Sequence, residues 1–294
     1  MINIFNEQYV SDTKDSELVA SAQQGDRIAL EKLILRHQAW IYNIALRMVG
    51  SPHDAEDVTQ EILIKILTKL STFQGKSSFR TWVYRIVTNH VINMKKRPRE
   101  YFFSSFTRHD DIRTGIPDMD LPDLQAVPAD VNLLVEETKM GCMMGMLLCL
   151  NRSQRLVFIL GAVFGASSAV GAEILEISPE NFRQQLSRAR KQLSNYMNER
   201  CGLMNKENPC RCARKTRALI RAGYIDSQNL EFHKHYVEKV KTIVAKHVNR
   251  VDDLLELRSQ TLFQDHPFLE SPNYVQLVEK LLRREEFQRM LNFN

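Results

Sequence analysis

No run of alternating apolar and polar residues long enough to make a sheet occurs in this 294-residue chain; its apolar positions recur at helical spacing nearly throughout. That pattern excludes sandwiches and barrels and predicts an all-α protein. The opening stretch "MINIFNEQYVSDTKDSE" has no basic segment followed by an apolar one, so no signal peptide is expected. The longest uncharged stretch, Leu156 to Ala172, contains three glycines and two adjacent serines and falls short of a bilayer span. Two buried helices joined by a turn account for it better, and no membrane span is expected. No phosphate-binding glycine loop, nucleophile constellation or established metal motif is present, so the chain does not read as an enzyme. Five cysteines, an odd number without an export signal, fit free thiols in a reducing cytoplasm. No internal repeat is found.

The most informative absence is of one charge sign. From Ile62 to Arg99 there are nine Lys and Arg and not a single Asp or Glu. Just before it, "DAEDVTQE" (54–61) holds four acids and no base, and from Asp110 to Glu137 eight acids face Arg113 alone. With 44% apolar and 26% charged residues the chain is globular rather than disordered, so such segregation points to charged partners, one of them polyanionic.

Breaks in the periodicity divide the chain. Residues 1–97 form a helical unit with helices expected near 16–24, 27–49, 53–72 and 78–97, separated by Gly25, by Gly50-Ser51-Pro52 and by "STFQGKSS". Residues 98–130, with prolines at 98, 117, 122 and 128, read as a flexible acidic linker. Helical patterning returns over 131–198, and 201–294 reads as a small helical C-terminal unit. Within 131–198, Ser178 is placed to cap a helix whose first turn holds Pro179, a short turn after a helix ending near Leu175. This is helix-turn-helix spacing, with the second helix suited to a major groove. Phe182, Leu186, Ala189 and Leu193 form its buried stripe.

In "SFRTWVYRIVTNHVINMKKRPR" (78–99), Phe79, Trp82, Val83, Ile86, Val87, His90 and Met94 share one stripe. Trp82 therefore reads as a core ring and His90 as a buried, hydrogen-bonded histidine. The opposite face presents Arg80, Thr81, Tyr84, Arg85, Thr88, Lys95 and Lys96, with Asn89 at its border. A solvated face would mix signs; this one suits phosphates, with Asn and Thr free for base edges. The preceding loop sets Phe73 and Phe79 around Gln74, Gly75 and two serines, where an unstacked base could be received.

These residues resemble a known family. "SPHDAEDVTQEILIKILTKLSTFQGKSSFRTWVYRIVTNHVINMKKR" is similar to domain two of bacterial RNA polymerase sigma factors of the extracytoplasmic-function (ECF) type, and "LNRSQRLVFILGAVFGASSAVGAEILEISPENFRQQLSRARKQL" (150–193) to their domain four. The resemblance implies two helical sigma domains, the second a helix-turn-helix, and a transcription initiation factor that recognises −35 and −10 promoter elements and promotes melting. Its implied partners are the clamp helices and flap of the polymerase core, promoter DNA and, in regulated members, an anti-sigma factor. Asp54, Asp57, Gln60 and Glu61 would face the polymerase. Phe73, Lys76 and Phe79 of the loop, with Arg80, Tyr84, Arg85, Asn89, Lys95 and Lys96, would face −10 DNA. Glu180, Asn181, Arg183, Gln184, Ser187, Arg188 and Lys191 would face the −35 element. The acidic linker would either thread channels meant for RNA or be a solvated tether. The alternative is a free-standing helix-turn-helix regulator, which needs no acidic helix at 54–61.

Three residues depart from the family pattern: Val170 replaces an acid, Gly171 an isoleucine, and Glu176 the turn glycine, where a left-handed backbone would be strained or avoided. The resemblance ends near Asn198. Beyond it, Cys201, Cys210 and Cys212 with His233 and His235 are the candidates for a zinc or redox site, at non-standard spacing. No cofactor is otherwise expected. Cys142 and Cys149 read as core. Phe232 to Leu255 reads as a long amphipathic helix, and "SPNYVQLVEKLLRREEFQRM" as another, together a regulatory extension.

Overall fold

The structure, a computed structural model, describes residues 12–119, 129–232, 262–264, 269 and 271–283. It is helical, and among the described residues the only extended pairing is an isolated bridge between Cys201 and Cys210. The expected amphipathic helix from Phe232 and the pair His233 and His235 lie outside the described residues, apart from Phe232 itself.

The first unit is built on α2 (Arg27–Val49), flanked by α1 (Asp12–Gln23), α3 (Pro52–Lys69) and α4 (Phe79–Asn93). Local chemistry sets the ends. Asp26 accepts from the amides of Ile28 and Ala29 to start α2, while Ser51 and Ser78 cap α3 and α4. Gly50 closes α2 in a left-handed conformation, φ 75°. A Cβ there would also meet the Leu148 side chain at 2.8 Å, but it is the left-handed backbone that calls for glycine.

Of the segment read as a flexible linker, the described residues 98–119 are mostly helical: α5 (Pro98–Phe102) and α6 (Phe106–Gly115). Two buried polar residues hold it. Glu100 meets Arg152 at 2.6 Å and Arg155 at 3.0 Å. His109 contacts the Tyr196 hydroxyl at 2.8 Å and the Cys142 carbonyl at 3.3 Å.

The second unit runs through α7 (Ala129–Leu148), α8 (Arg152–Phe158) continuing into a π turn (Ile159–Val163), α9 (Ser168–Leu175) and α10 (Pro179–Arg200). The uncharged stretch is thus helix, turn and helix, and no described helix is long and apolar enough to cross a membrane. Glu176 does adopt the left-handed conformation, φ 55°. A Cβ on Gly171 would lie 2.3 Å from the Phe182 ring, which fills the space an isoleucine would take. Beyond α10, α11 (Cys212–Arg221) packs on α7, with Thr138 and Thr216 hydroxyls 2.9 Å apart. The chain then returns across α7, where Glu137 accepts from the amides of Glu231 and Phe232. The last described helix, α12 (Val275–Leu282), lies on α2.

The two units share one core. Arg155 donates to the carbonyls of Leu147, Leu148 and Leu150 at the end of α7, to Met48 of α2, and to Glu100. Burial alone would raise the Glu100 carboxyl, but the bonds from Arg152, the Arg97 amide and Arg155 hold it below the usual range.

Candidate nucleic-acid and polymerase interface

Between α3 and α4 lies a groove of about 990 Å³. Its cations are Lys65, Lys69, Arg85, Lys95, Lys96 and Arg97, set against a single acid, Glu61; Trp82, Asn89, Asn93 and Thr72 complete the polar and aromatic lining. Lysines four apart on α3 reach one side, and the segment Lys95–Arg97, where α4 ends after Asn93, supplies the other. The one acid is internally engaged: Glu61 meets Arg97 at 2.9 Å and His90 Nε2 at 3.1 Å. On its other nitrogen His90 meets Lys65 Nζ at 2.7 Å. Burial and the neighbouring lysine push His90 below its ordinary value, with Lys65 Nζ at its Nδ1. The groove therefore keeps an excess of positive charge open to a polyanion.

The groove differs from the expected one in which side of α4 it uses. Tyr84 and Arg80 are buried rather than displayed, at 2% and 9% exposure. The reason is that α4 has neighbours on several sides, among them α1, α2 and α9. The Tyr84 ring packs on Trp40, centroids 4.2 Å apart, and the Arg80 guanidinium lies over the Tyr84 ring. Trp82, expected in the core, is instead half-buried on the groove wall, against Phe73 (5.4 Å) and Phe79 (5.6 Å). Phe79 itself is buried against His37, so the rings with accessible edges are Phe73 and Trp82. Gln23 of α1 pins this loop by donating to the carbonyls of Leu70 and Phe73.

Of the residues expected at −10 DNA, Arg85, Asn89, Lys95 and Lys96 come together in the groove; Lys76 is exposed on the loop outside its lining. The sequence reading missed Trp82, Lys65, Lys69, Asn93 and Arg97. The spacing of Lys65 and Lys69 inside an acid-free run was the available signal for two of them.

On α3, Asp54, Asp57 and Gln60 are half-buried, whereas Glu61, one turn on from Asp57, is exposed and pairs with Arg97 in the groove. On α10 all seven expected residues (Glu180, Asn181, Arg183, Gln184, Ser187, Arg188 and Lys191) are exposed, while Phe182, Leu186, Ala189 and Leu193 are buried. Arg183 meets Glu180 at 2.5 Å and Gln184 donates to the same carboxylate, which holds Glu180 below the usual range. This pairing orders donors and an acceptor on the exposed face.

Cys201 and Cys210 share the isolated bridge, with the Gly202 amide donating to the Cys210 carbonyl at 3.1 Å. Burial raises the thiols of Cys142, Cys201 and Cys212. Among the described residues no group of three or more Cys, His, Asp or Glu is arranged to hold a metal ion.

A cation-lined groove with aromatic edges, on one body with a capped helix-turn-helix, defines a helical nucleic-acid-binding protein. The Sigma-70 region 2 family matches residues 33–100, and the Sigma-70, region 4 family matches residues 140–193. Over 186 residues the chain is 28% identical to the ECF RNA polymerase sigma-E factor of Haemophilus influenzae, covering 62% of this chain and 94% of that protein. It is 38% identical over 89 residues to the RNA polymerase sigma-H factor of Pseudomonas aeruginosa, covering 29% and 46% of the two chains. A solved structure of CnrH in complex with the cytosolic domain of CnrY aligns at a TM-score of 0.44 and 23% identity, over 63% of this chain and 98% of that one. Over these regions the chain is similar to RNA polymerase sigma factors of the extracytoplasmic-function type.

Proposed function

We propose that the protein initiates transcription as a sigma factor in three physically separate contacts, acting in the cytoplasm where polymerase works. The acidic side of α3, with Asp54, Asp57 and Gln60, docks on the polymerase core. The exposed face of α10 reads the −35 element in the major groove. The groove between α3 and α4 takes the −10 strand, its cations on phosphates and Asn89 and Asn93 on base edges, with Trp82 and Phe73 as stacking edges.

The observation that carries this reading is the groove: six cations and an indole converge where one acid is already neutralised. Stacking contributes about 1–3 kcal/mol per base, against a few kcal/mol to extrude one. One or two captured bases roughly break even, so melting needs the polymerase. No cofactor and no covalent step enter this scheme. An anti-sigma factor fits it as a regulator in trans.

Run-off transcription with purified core polymerase tests the proposal. Start-specific transcripts that depend on the protein are expected; tight duplex binding without any such transcripts would support a free-standing regulator instead.

A further inference from the structure

Two cysteines outside every surface assigned above are brought together by the backbone. Cys201 ends α10, its amide donating to the Met197 carbonyl at 2.8 Å. Cys210 lies on the loop that leads from there to α11. The loop folds back so that the two residues form the isolated parallel bridge, closed by the Gly202 amide on the Cys210 carbonyl at 3.1 Å. Asn208 fastens the fold by donating to the carbonyls of Asn198 and Cys201, at 2.8 and 3.1 Å. Gly202 permits the close approach, since a Cβ there would stand 2.3 Å from the Cys210 carbonyl oxygen.

Bridged backbones lie about 4.7–4.9 Å apart, within the roughly 4.4–6.8 Å between Cα atoms that a disulfide requires. Residues paired in this way also direct their side chains to the same side. A disulfide can therefore close here with little movement of the chain. Both thiols are nevertheless free. In a reducing compartment that is the resting state of a pair whose disulfide forms transiently, for sensing rather than for structure. The two thiols are not equivalent. Cys201 packs against the core, whereas Cys210 stands on the loop, where the Arg113 guanidinium interacts with it. A neighbouring cation suits a reacting thiolate. Burial raises the Cys201 thiol, and Cys210 beside it raises it further, which suits Cys201 to the second step rather than the first.

We propose that Cys201 and Cys210 are a redox site, a dithiol that hydroperoxides close to a disulfide. Cys210 attacks the hydroperoxide, breaking its O–O bond; the sulfur becomes a sulfenic acid, and the thiol proton leaves with the other oxygen as an alcohol, or as water from hydrogen peroxide. Cys201 then attacks that sulfur, and the hydroxyl departs with the Cys201 proton as water. Two thiols are oxidised and one peroxide bond is reduced. A dithiol reductant reopens the bond by exchange. The disulfide fastens the end of the reading helix to the start of α11. On α11 the Arg214 carbonyl accepts from the Met119 amide at 3.1 Å, and Lys215 meets Asp118 at 3.1 Å, so the same helix holds the end of the segment that joins the two units.

The test exposes the full wild-type chain to hydrogen peroxide at equal concentration. Free thiols should fall from five to three, the mass should drop by two hydrogens, and peptide mapping should join Cys201 to Cys210. Dithiothreitol should restore all five. Thiols that all survive, or a bond mapped to any other pair, overturn the site, and this measurement needs no variant to fold. Two variants test the order of attack. In Cys201→Ser the sulfenic acid has no thiol to resolve it, so dimedone should label Cys210. In Cys210→Ser dimedone should leave Cys201 unlabelled. The reverse pattern overturns the assignment of Cys210 as the attacking thiol. Amides of α11 should exchange with solvent more slowly in the oxidised chain and recover on reduction; unchanged exchange overturns the fastening of α11.

Discussion

The two surfaces assigned to DNA are built in opposite ways. The groove between α3 and α4 is recessed, and its polar groups are braced by one another: Glu61 by Arg97 and His90, His90 by Lys65, Trp82 by two phenylalanine rings. The α10 face stands free, with buried residues behind it and its pairing mostly along its own helix, Glu180 to Arg183 and Gln184, with one bond from Arg183 to Ser168 of α9. A recess with aromatic edges is suited to a strand already separated, because bases must be taken one at a time. A convex helix face is suited to a duplex, whose major groove already displays its base edges. If both surfaces meet DNA as proposed, the braced recess suits capture of single bases and the free helix face suits reading a duplex.

The largest effect should come from breaking the seam that joins both surfaces into one body. Glu100→Ala leaves Arg155 buried without its carboxylate and should cost about 3–5 kcal/mol in urea denaturation.

Acid should loosen the frame behind the reading helix next. His109 sits between Tyr196 of α10 and the Cys142 carbonyl of α7, and burial pushes it down to about 4. The unfolded chain takes up this proton near pH 6.5 and the folded chain only near 4, so stability falls as pH drops through that window. The loss approaches about 1.4 kcal/mol per pH unit from this residue. Melting curves at pH 7 and pH 5 should show it, and the difference should shrink in His109→Gln.

Trp82→Ala separates the two surfaces directly. It should weaken open-complex formation by about 1–3 kcal/mol, the range of one stacked base, while leaving binding to a −35 duplex unchanged. Arg188→Ala should do the reverse, and equal losses in both assays for either variant would erase the distinction. The smallest effect concerns the turn before α10. Glu176→Gly relieves a left-handed backbone and should stabilise the fold by about 1 kcal/mol. The ion pair lost with Arg85 is too exposed to offset that gain.

Much of this was legible before any coordinates. Asp26, Ser51, Ser78 and Ser178 mark helix starts, Gly50 marks a stop, and Pro52 and Pro179 sit in first turns, because caps act over three or four residues and are written locally. The stripe Phe182, Leu186, Ala189 and Leu193 predicted its own burial and left seven exposed residues opposite it, since α10 has its neighbours on one side.

The same rule failed on α4, and the failure has a cause. Periodicity reveals an apolar stripe, but it does not say how many neighbours a helix has. With α1 and α9 both against it, α4 buries Arg80 and Tyr84 as well as Phe79 and Val83, and Trp82 is turned out to the groove. Glu61, on the same face of α3 as Asp54 and Asp57, is drawn into the groove by a histidine and an arginine from distant positions. The supposed tether became helix because Glu100 and His109 find partners in α8 and α10, roughly fifty and ninety residues on. By itself, then, the sequence determined the helices, their ends, the helix-turn-helix and the segregation of charge, all of which depend on neighbours along the chain. Only the tertiary structure decided which face of α4 lines the groove, that the two helical units share one core, and that the last described helix packs on α2. Those outcomes depend on contacts between residues as far apart as Asn43 and Leu269, and no local pattern encodes them.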